Sequence, residues 1–166
     1  MDRAWRKWAV ACGLGTAALW GLMAAASRRT MAAADWLTGA ENRAAFRHAL
    51  GRKRPAGGLV LAKLWGMEQV NQTRGYRVGD ETIARAAESL RLACGAGSVL
   101  YRIGGCTFAA VMPRGDGPAP DQAAARSAQV YGSGRAGERL MVSWAAGPGS
   151  VRRLFRQADT RLRQAL

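Results

Sequence analysis

The chain has few of the residues that bind transition metals or crosslink secreted proteins. It has three cysteines among 166 residues and a single histidine, His48. The cysteines are scattered at positions 12, 94 and 106, and no CxxC or CxxxC pair occurs. These absences exclude a disulfide framework and leave no ligand set for structural zinc. With one histidine, a His-based catalytic triad is possible only if His48 itself lies beside the nucleophile.

Acidic residues are scarce as well. Eleven Asp and Glu residues stand against 25 Lys and Arg residues, which gives a formal net charge of +14. Such a balance favours an anionic partner, which could be nucleic acid, lipid headgroups or a nucleotide. The hydrophobic content of 49% is enough for a packed core, so a disordered basic tail is excluded. The length fits one domain with a short appendage.

One long uncharged run occurs near the N-terminus, from Trp8 to Ser27, with basic residues on both sides. A run of about 20 apolar residues can span a bilayer as a helix. It predicts a single-pass membrane anchor over residues 1–29, with a cleaved signal peptide and a buried helix as the alternatives. The flanking positive charges are nearly balanced, so they do not set the orientation.

Residues 30–166 are predicted to form one α/β domain without internal repeats. Asp80 is placed to cap the third helix, and Gly104–Gly105 to form a hairpin turn. Strands that alternate with helices, with one hairpin, predict a mixed central sheet flanked by helices. The apolar pattern predicts helices over 36–52, 66–74, 80–94, 121–131 and 151–165, and strands over 59–64, 98–103, 106–112 and 140–146.

The last predicted helix is strongly amphipathic. Its apolar residues fall on one side at about 100° per residue. Four arginines fall on the opposite side: Arg152, Arg153, Arg156 and Arg163. We interpret them as a solvated face, with contact to anionic lipid or nucleic acid as the alternative. No recognition-helix motif occurs, so nucleic acid is not the expected partner.

Several short motifs follow one another along residues 34–166. The segment from Asp35 to Phe46 reads DWLTGAENRAAF, and the segment from Asn71 to Asp80 reads NQTRGYRVGD. Residues 102–108 read RIGGCTF, and SWAAG and AD follow at 143–147 and 158–159. Together these motifs resemble those of GGDEF domains, the diguanylate cyclases, with their D-x-L-T-G-x-x-N-R-x-x-F, N-D-x-x-G-H-x-x-G-D and R-x-G-G-D-E-F segments. The resemblance implies an α+β, ferredoxin-like fold of the palm type found in nucleotidyl cyclases.

The resemblance also implies an activity and a set of site residues. Two GTP-loaded domains would meet antiparallel and form cyclic di-GMP, with Mg²⁺ ions on the phosphates. Asn71 and Asp80 would read the guanine base through its donor and acceptor edge. The phosphate region would comprise Lys63, Leu64, Trp65, Gly66 and Met67, and the signature loop Gly104, Gly105, Cys106, Thr107 and Phe108.

The positions that bind metal in that family carry other side chains here. Lys63 stands at the first metal-binding Asp, Cys106 at the second acidic ligand and Thr107 at the neighbouring Glu. An ammonium group and a thiol are poor ligands for Mg²⁺, so we assign neither a catalytic residue nor a metal site. The family's inhibitory product site would fall on Gly95 and Ser98, which lack its Arg and Asp, so product binding is not expected there.

The sequence thus predicts a catalytically inactive, membrane-anchored GGDEF-like domain in the cytoplasm. Its expected role is regulatory, through a homodimer or a protein partner in cyclic-di-GMP-type signalling. One alternative is a GTP sensor that needs no metal, in which the Lys63 ammonium partly neutralises the phosphates while Asn71 and Asp80 read the base. The other alternative is an active cyclase with unusual ligands.

Overall fold

The computed structural model describes residues 34–165, except for residues 53, 54, 116, 133, 135 and 136. Helices and strands follow one another in the predicted order. In chain order they are α1 (Arg43–Gly51), β1 (Ala56–Trp65), α2 (Met67–Arg74), α3 (Tyr76–Cys94), β2 (Val99–Gly104), β3 (Thr107–Met112), α4 (Pro120–Tyr131), β4 (Arg139–Gly149) and α5 (Val151–Gln164).

The four strands form one sheet in the order β2-β3-β1-β4, and every neighbouring pair is antiparallel. The prediction of a mixed sheet is therefore wrong. Strands β1 and β2 run in the same direction, as expected for strands joined by a helical crossover. However, β3 lies between them, so the parallel pair that the alternation suggested never becomes adjacent.

The central strand β1 supplies side chains to both faces of the sheet. Val60, Ala62 and Leu64 pack into the cluster formed with α2, α3 and α4. Leu59 and Leu61 pack into the cluster formed with α1 and α5. Successive side chains of a strand point to opposite faces, so a strand covered on both sides is apolar at nearly every position. This arrangement explains the uninterrupted apolar run in the sequence.

The first helix starts later than predicted. It begins at Arg43 instead of residue 36, because the Asn42 side chain accepts hydrogen bonds from the backbone N–H groups of Ala44 and Ala45 and so caps the helix there. Residues before Asn42 form a turn in which the N–H of Gly39 donates to the carbonyl of Asp35 at 2.8 Å.

Two further local predictions are wrong. Helix α3 begins at Tyr76 with Gly75 at its cap position, so Asp80 lies inside the helix and does not cap it. The hairpin turn consists of Gly105 and Cys106, one residue later than predicted, because Gly104 still pairs with β3.

Among the described residues, no helix has the length and apolar character needed to cross a bilayer. The predicted membrane anchor, residues 1–29, lies outside the described residues.

Candidate functional site

The C-terminal end of β1 lies beside the turn between β2 and β3. The register places Lys63 of β1 opposite Thr107 of β3. One residue further, the backbone N–H of Leu64 donates to the carbonyl of Cys106 at 2.9 Å. The fold therefore brings together two segments that are distant in sequence, the predicted phosphate region and the GGCTF loop.

Lys63 is the cationic residue of β1 at this junction. Its side chain is half-buried, and its Nζ lies 5.4 Å from the ring centroid of Trp65, two residues further along the same strand. The Trp65 side chain is half-exposed, so a contact of this kind contributes about 0.5–1 kcal/mol. Within the described ranges, no carboxylate pairs with the Lys63 ammonium.

Cys106 is a neutral group at this junction. Burial raises the pKa of its thiol, and the charges of Arg102 and Lys63 offset that rise only in part. The thiol therefore stays protonated at neutral pH. Mg²⁺ requires hard oxygen ligands such as carboxylates. The ammonium of Lys63, this thiol and the hydroxyl of Thr107 do not fit that ion.

The first family motif, at residues 35–46, is joined to the GGCTF loop by an ion pair. Nη1 of Arg102 lies 3.0 Å from each carboxylate oxygen of Asp35, and both side chains are largely buried. Arg102 also donates from Nε and Nη2 to the carbonyl of Gly105, at 3.2 and 2.8 Å. Thr38 donates its N–H and its hydroxyl to Asp35 at 3.0 and 2.7 Å. Burial alone would raise the pKa of Asp35, but the hydrogen bonds from Thr38 and Arg102 outweigh it and lower that pKa.

Gly66 turns the chain from β1 into α2. Its φ of +82° is a left-handed conformation that glycine adopts without steric cost. Leu64, Trp65, Gly66 and one side of α2 border a shallow depression of about 660 Å³. On that side Gln72 donates to the carboxylate of Glu68 at 3.2 Å. A carboxylate at this place repels phosphate oxygens.

The two predicted base-reading residues lie on adjacent helices, Asn71 within α2 and Asp80 within α3. Asn71 packs against Gly79, because a Cβ added at Gly79 would lie 3.2 Å from Cγ of Asn71 and would overlap its Oδ1. Neither Asn71 nor Asp80 has a side-chain hydrogen bond or ion pair to another described residue. Neither lines the depression beside Gly66. Met67, the remaining residue of the predicted phosphate region, is buried in the core.

A comparison with protein-family models identifies the family. The model for the diguanylate cyclase, GGDEF domain, matches residues 32–166. The chain belongs to the GGDEF family. The resemblance stated from the sequence motifs is therefore confirmed. No curated protein matches the chain.

Solved structures of GGDEF proteins have the same fold. The coiled coil and GGDEF domain of DgcB from Caulobacter crescentus, in complex with c-di-GMP, is 20% identical with a TM-score of 0.71, over 95% of this chain and 93% of that one. The diguanylate cyclase SiaD from Pseudomonas aeruginosa, in complex with its activator SiaC, is 19% identical with a TM-score of 0.68, over 96% and 68%. The S helix-GGDEF-EAL part of LapD from Vibrio cholerae is 19% identical with a TM-score of 0.67, over 87% and 36%. At these identities the comparison establishes the fold.

In this GGDEF domain the signature segment forms a tight hairpin. Gly104 pairs with Thr107 across the turn, and the carbonyl of Gly105 accepts both bonds from Arg102. Phe108 is fully buried in the core. The two glycines and the phenylalanine thus have structural contacts, while the two positions between them carry no carboxylate.

Among the described residues, no three His, Cys, Asp or Glu side chains come together in a way that could hold an ion. At the position of the family's inhibitory product site, the Ser98 hydroxyl donates to the carbonyl of Gly95 at 2.6 Å. Both residues belong to the turn that follows α3, and the absence of product binding there stays a prediction.

One buried network was not predicted from the sequence. Nη2 of Arg85 lies 2.8 Å from the Glu138 carboxylate, whose side chain is 1% exposed. The guanidinium also lies 4.7 Å from the ring centroid of Tyr131, and the Tyr131 hydroxyl donates to Glu138 at 3.3 Å. A Cβ added at Gly66 would approach the Cα of Glu138 to 3.3 Å. Glu138 therefore lies against Gly66, just before α2 begins. No local pattern marks Glu138, which stands in a glycine-rich segment that resembles an exposed loop.

Proposed function

We propose that this chain is a catalytically inactive GGDEF domain that acts through protein contacts in cyclic-di-GMP signalling. We further propose that residues 1–29 anchor it in the membrane and that the domain lies in the cytoplasm. The observation that carries the proposal is the set of side chains at the junction of β1 and the signature loop, Lys63, Cys106 and Thr107. Losing an electrostatic group that stabilises the transition state costs about 10²–10³ in rate, and both metal-binding positions are changed here.

The proposed role is a regulatory contact, with either a second copy of the chain or another GGDEF protein. A domain with the fold of a cyclase has its helices and strands in the arrangement through which such domains would meet. SiaD, a relative with the same fold, is itself held in complex with an activator protein. For this chain, sedimentation analysis of the purified protein is expected to show a reversible dimer. Binding to an active GGDEF protein, with altered cyclic di-GMP output, is the second expected form of contact.

Incubation with GTP and Mg²⁺ tests the lack of activity. Chromatography is expected to find no cyclic di-GMP, while the diguanylate cyclase SiaD with its activator SiaC serves as the positive control. The variant Lys63→Asp with Cys106→Asp restores carboxylates at both positions, and calorimetry is expected to detect Mg²⁺ binding by this variant and none by the native chain. Cyclic di-GMP formed by the native chain would refute the proposal and favour a cyclase with unusual ligands.

A GTP sensor that needs no metal is the second candidate. It is favoured by the Lys63 ammonium, which has no carboxylate partner within the described ranges, and by the similarly unpaired side chains of Asn71 and Asp80. The carboxylate of Glu68 opposes it. Calorimetric titration with GTP, with and without Mg²⁺, distinguishes the two candidates. Micromolar binding that is lost in Lys63→Ala and absent with ATP would support the sensor, and no binding at millimolar GTP would exclude it.

A further inference from the structure

The positive charge of the domain is distributed unequally between the two faces of the sheet. Helices α2, α3 and α4, which cover one face, carry five basic and five acidic side chains. Helices α1 and α5, which cover the other face, carry seven arginines and a single carboxylate, that of Asp159. A compositional preference for arginine would raise the count on both faces. The structure instead concentrates the excess on one of them.

Helices α1 and α5 form one continuous surface. Phe46 of α1 and Phe155 of α5 pack edge to face, with ring centroids 5.3 Å apart. Two of the seven arginines have partners, since Arg161 donates to the carbonyl of Trp144 at 2.6 Å and Arg163 pairs with Asp159 at 2.9 Å. The other five are exposed, and their guanidinium groups make no ion pair with a described residue. We call these five the basic face: Arg43, Arg47, Arg152, Arg153 and Arg156.

We propose that the basic face lies against the anionic headgroups of a lipid bilayer. Five guanidinium groups on a surface almost free of carboxylates complement a negatively charged leaflet, and each arginine near such a surface contributes about fivefold to association. The proposed anchor agrees with this, because it ends at residue 29 and α1 begins at Arg43. The intervening chain is short enough to keep the domain within about 45 Å of the bilayer.

The surface is less suited to nucleic acid. Single strands bind through aromatic side chains on which the bases stack. The exposed large hydrophobic side chains among the described residues are Trp36, Trp65, Tyr76, Leu92, Val99 and Val130, and none of them belongs to α1 or α5. Lipid headgroups require only the charge.

Arginine footprinting of the full chain tests the proposal with an internal control. The chain is mixed with vesicles of phosphatidylcholine alone, or with vesicles in which about a third of the lipid is phosphatidylglycerol. Phenylglyoxal modification is then followed peptide by peptide by mass spectrometry. On anionic vesicles, the modification of Arg47 and Arg153 is expected to slow several-fold. The modification rates of Arg74 and Arg126, which lie on α2 and α4 on the opposite face of the sheet, are expected to stay unchanged. At about 1 M NaCl, where the Debye length is about 3 Å, the protection is expected to disappear.

A pair of charge-matched variants completes the test. Arg152→Glu with Arg156→Glu is expected to abolish the protection of Arg47 and Arg153. Arg74→Glu with Arg126→Glu changes the net charge equally and is expected to leave it intact, with circular dichroism showing that both variants fold. Equal protection on the two vesicle types, equal protection of both faces, or loss of protection in both variants would overturn the proposal. Protection by duplex RNA at lower concentration than by the anionic vesicles would overturn it as well.

Discussion

The close packing of α2 on α3 makes Gly79→Ala an informative substitution. Gly79 lies in the first turns of α3, and an added methyl group would overlap Oδ1 of Asn71. Two effects of opposite sign compete. Alanine is favoured over glycine inside a helix by about 0.8–1.0 kcal/mol. Overpacking that forces a neighbouring side chain to move costs about 1–3 kcal/mol.

The sign of the result depends on Asn71. With Asn71 present, we expect Gly79→Ala to lower the free energy of unfolding by about 1 kcal/mol, because the steric cost exceeds the gain in helix propensity. In the Asn71→Ala background the clash is absent, and the same substitution is expected to raise the free energy of unfolding by about 1 kcal/mol. The coupling between the two positions is then about 2 kcal/mol.

Urea unfolding of the four proteins in this cycle, followed by circular dichroism, measures the coupling. Gly51→Ala is the matched control, since a Cβ at this exposed helical position meets nothing within 4 Å and the substitution is expected to stabilise in either background. If Gly79→Ala had the same effect with and without Asn71, the side chain of Asn71 would not lie against Gly79. The placement of the predicted base-reading residue would then be refuted.

Three further predictions follow from the ionisable groups. Asp35→Asn is expected to cost about 2 kcal/mol near neutral pH, because a charged acceptor is lost. The folded-state pKa of Asp35 lies below its unfolded value of about 3.9. The contribution of the carboxylate is therefore present above that pH and is lost as pH falls through the folded pKa. If urea unfolding showed the same cost of Asp35→Asn at neutral pH and at a pH below the folded pKa, this prediction would be contradicted. Glu138→Gln removes the buried charge that pairs with Arg85. It is expected to cost about 3 kcal/mol in the same assay, and a cost below about 1 kcal/mol would argue against that pairing. Alkylation of Cys106 at neutral pH is expected to be slower than that of a free cysteine, because burial raises the pKa of its thiol. It is expected to be slower still in Lys63→Met, which removes a positive charge that lowers this pKa. The rate is measured on the labelled peptide by mass spectrometry, and faster labelling of the variant would contradict the prediction.

Features that depend on local periodicity were predictable from the sequence. Ile83, Ala87, Leu90 and Cys94 recur on α3 at helical spacing in the sequence, and all four are buried in the core. The apolar side of an amphipathic helix can be read from the helix's own sequence. The order of helices and strands was predictable for the same reason. The family followed from motifs whose order and spacing reach across the whole domain.

Features that depend on distant partners were not predictable. The neighbours of β1 are set by the insertion of β3 between β1 and β2, which no residue of β1 encodes. Asp35 forms a turn instead of leading into a helix because it binds Arg102, 67 residues further along the chain. Glu138 is buried because Arg85 and Tyr131 lie beside it. The roles of Asn71 and Asp80 in binding a base stay predictions.

The hydrogen bonds of Arg102 also form a short mechanical connection. One guanidinium holds the carboxylate of Asp35, at the start of the domain, and the carbonyl of Gly105, at the tip of the signature hairpin. A displacement or rotation of the chain at Asp35 therefore acts directly on Arg102, a residue of β2, and through its guanidinium on the hairpin tip. The signature loop is thus attached to the N-terminal end of the described domain.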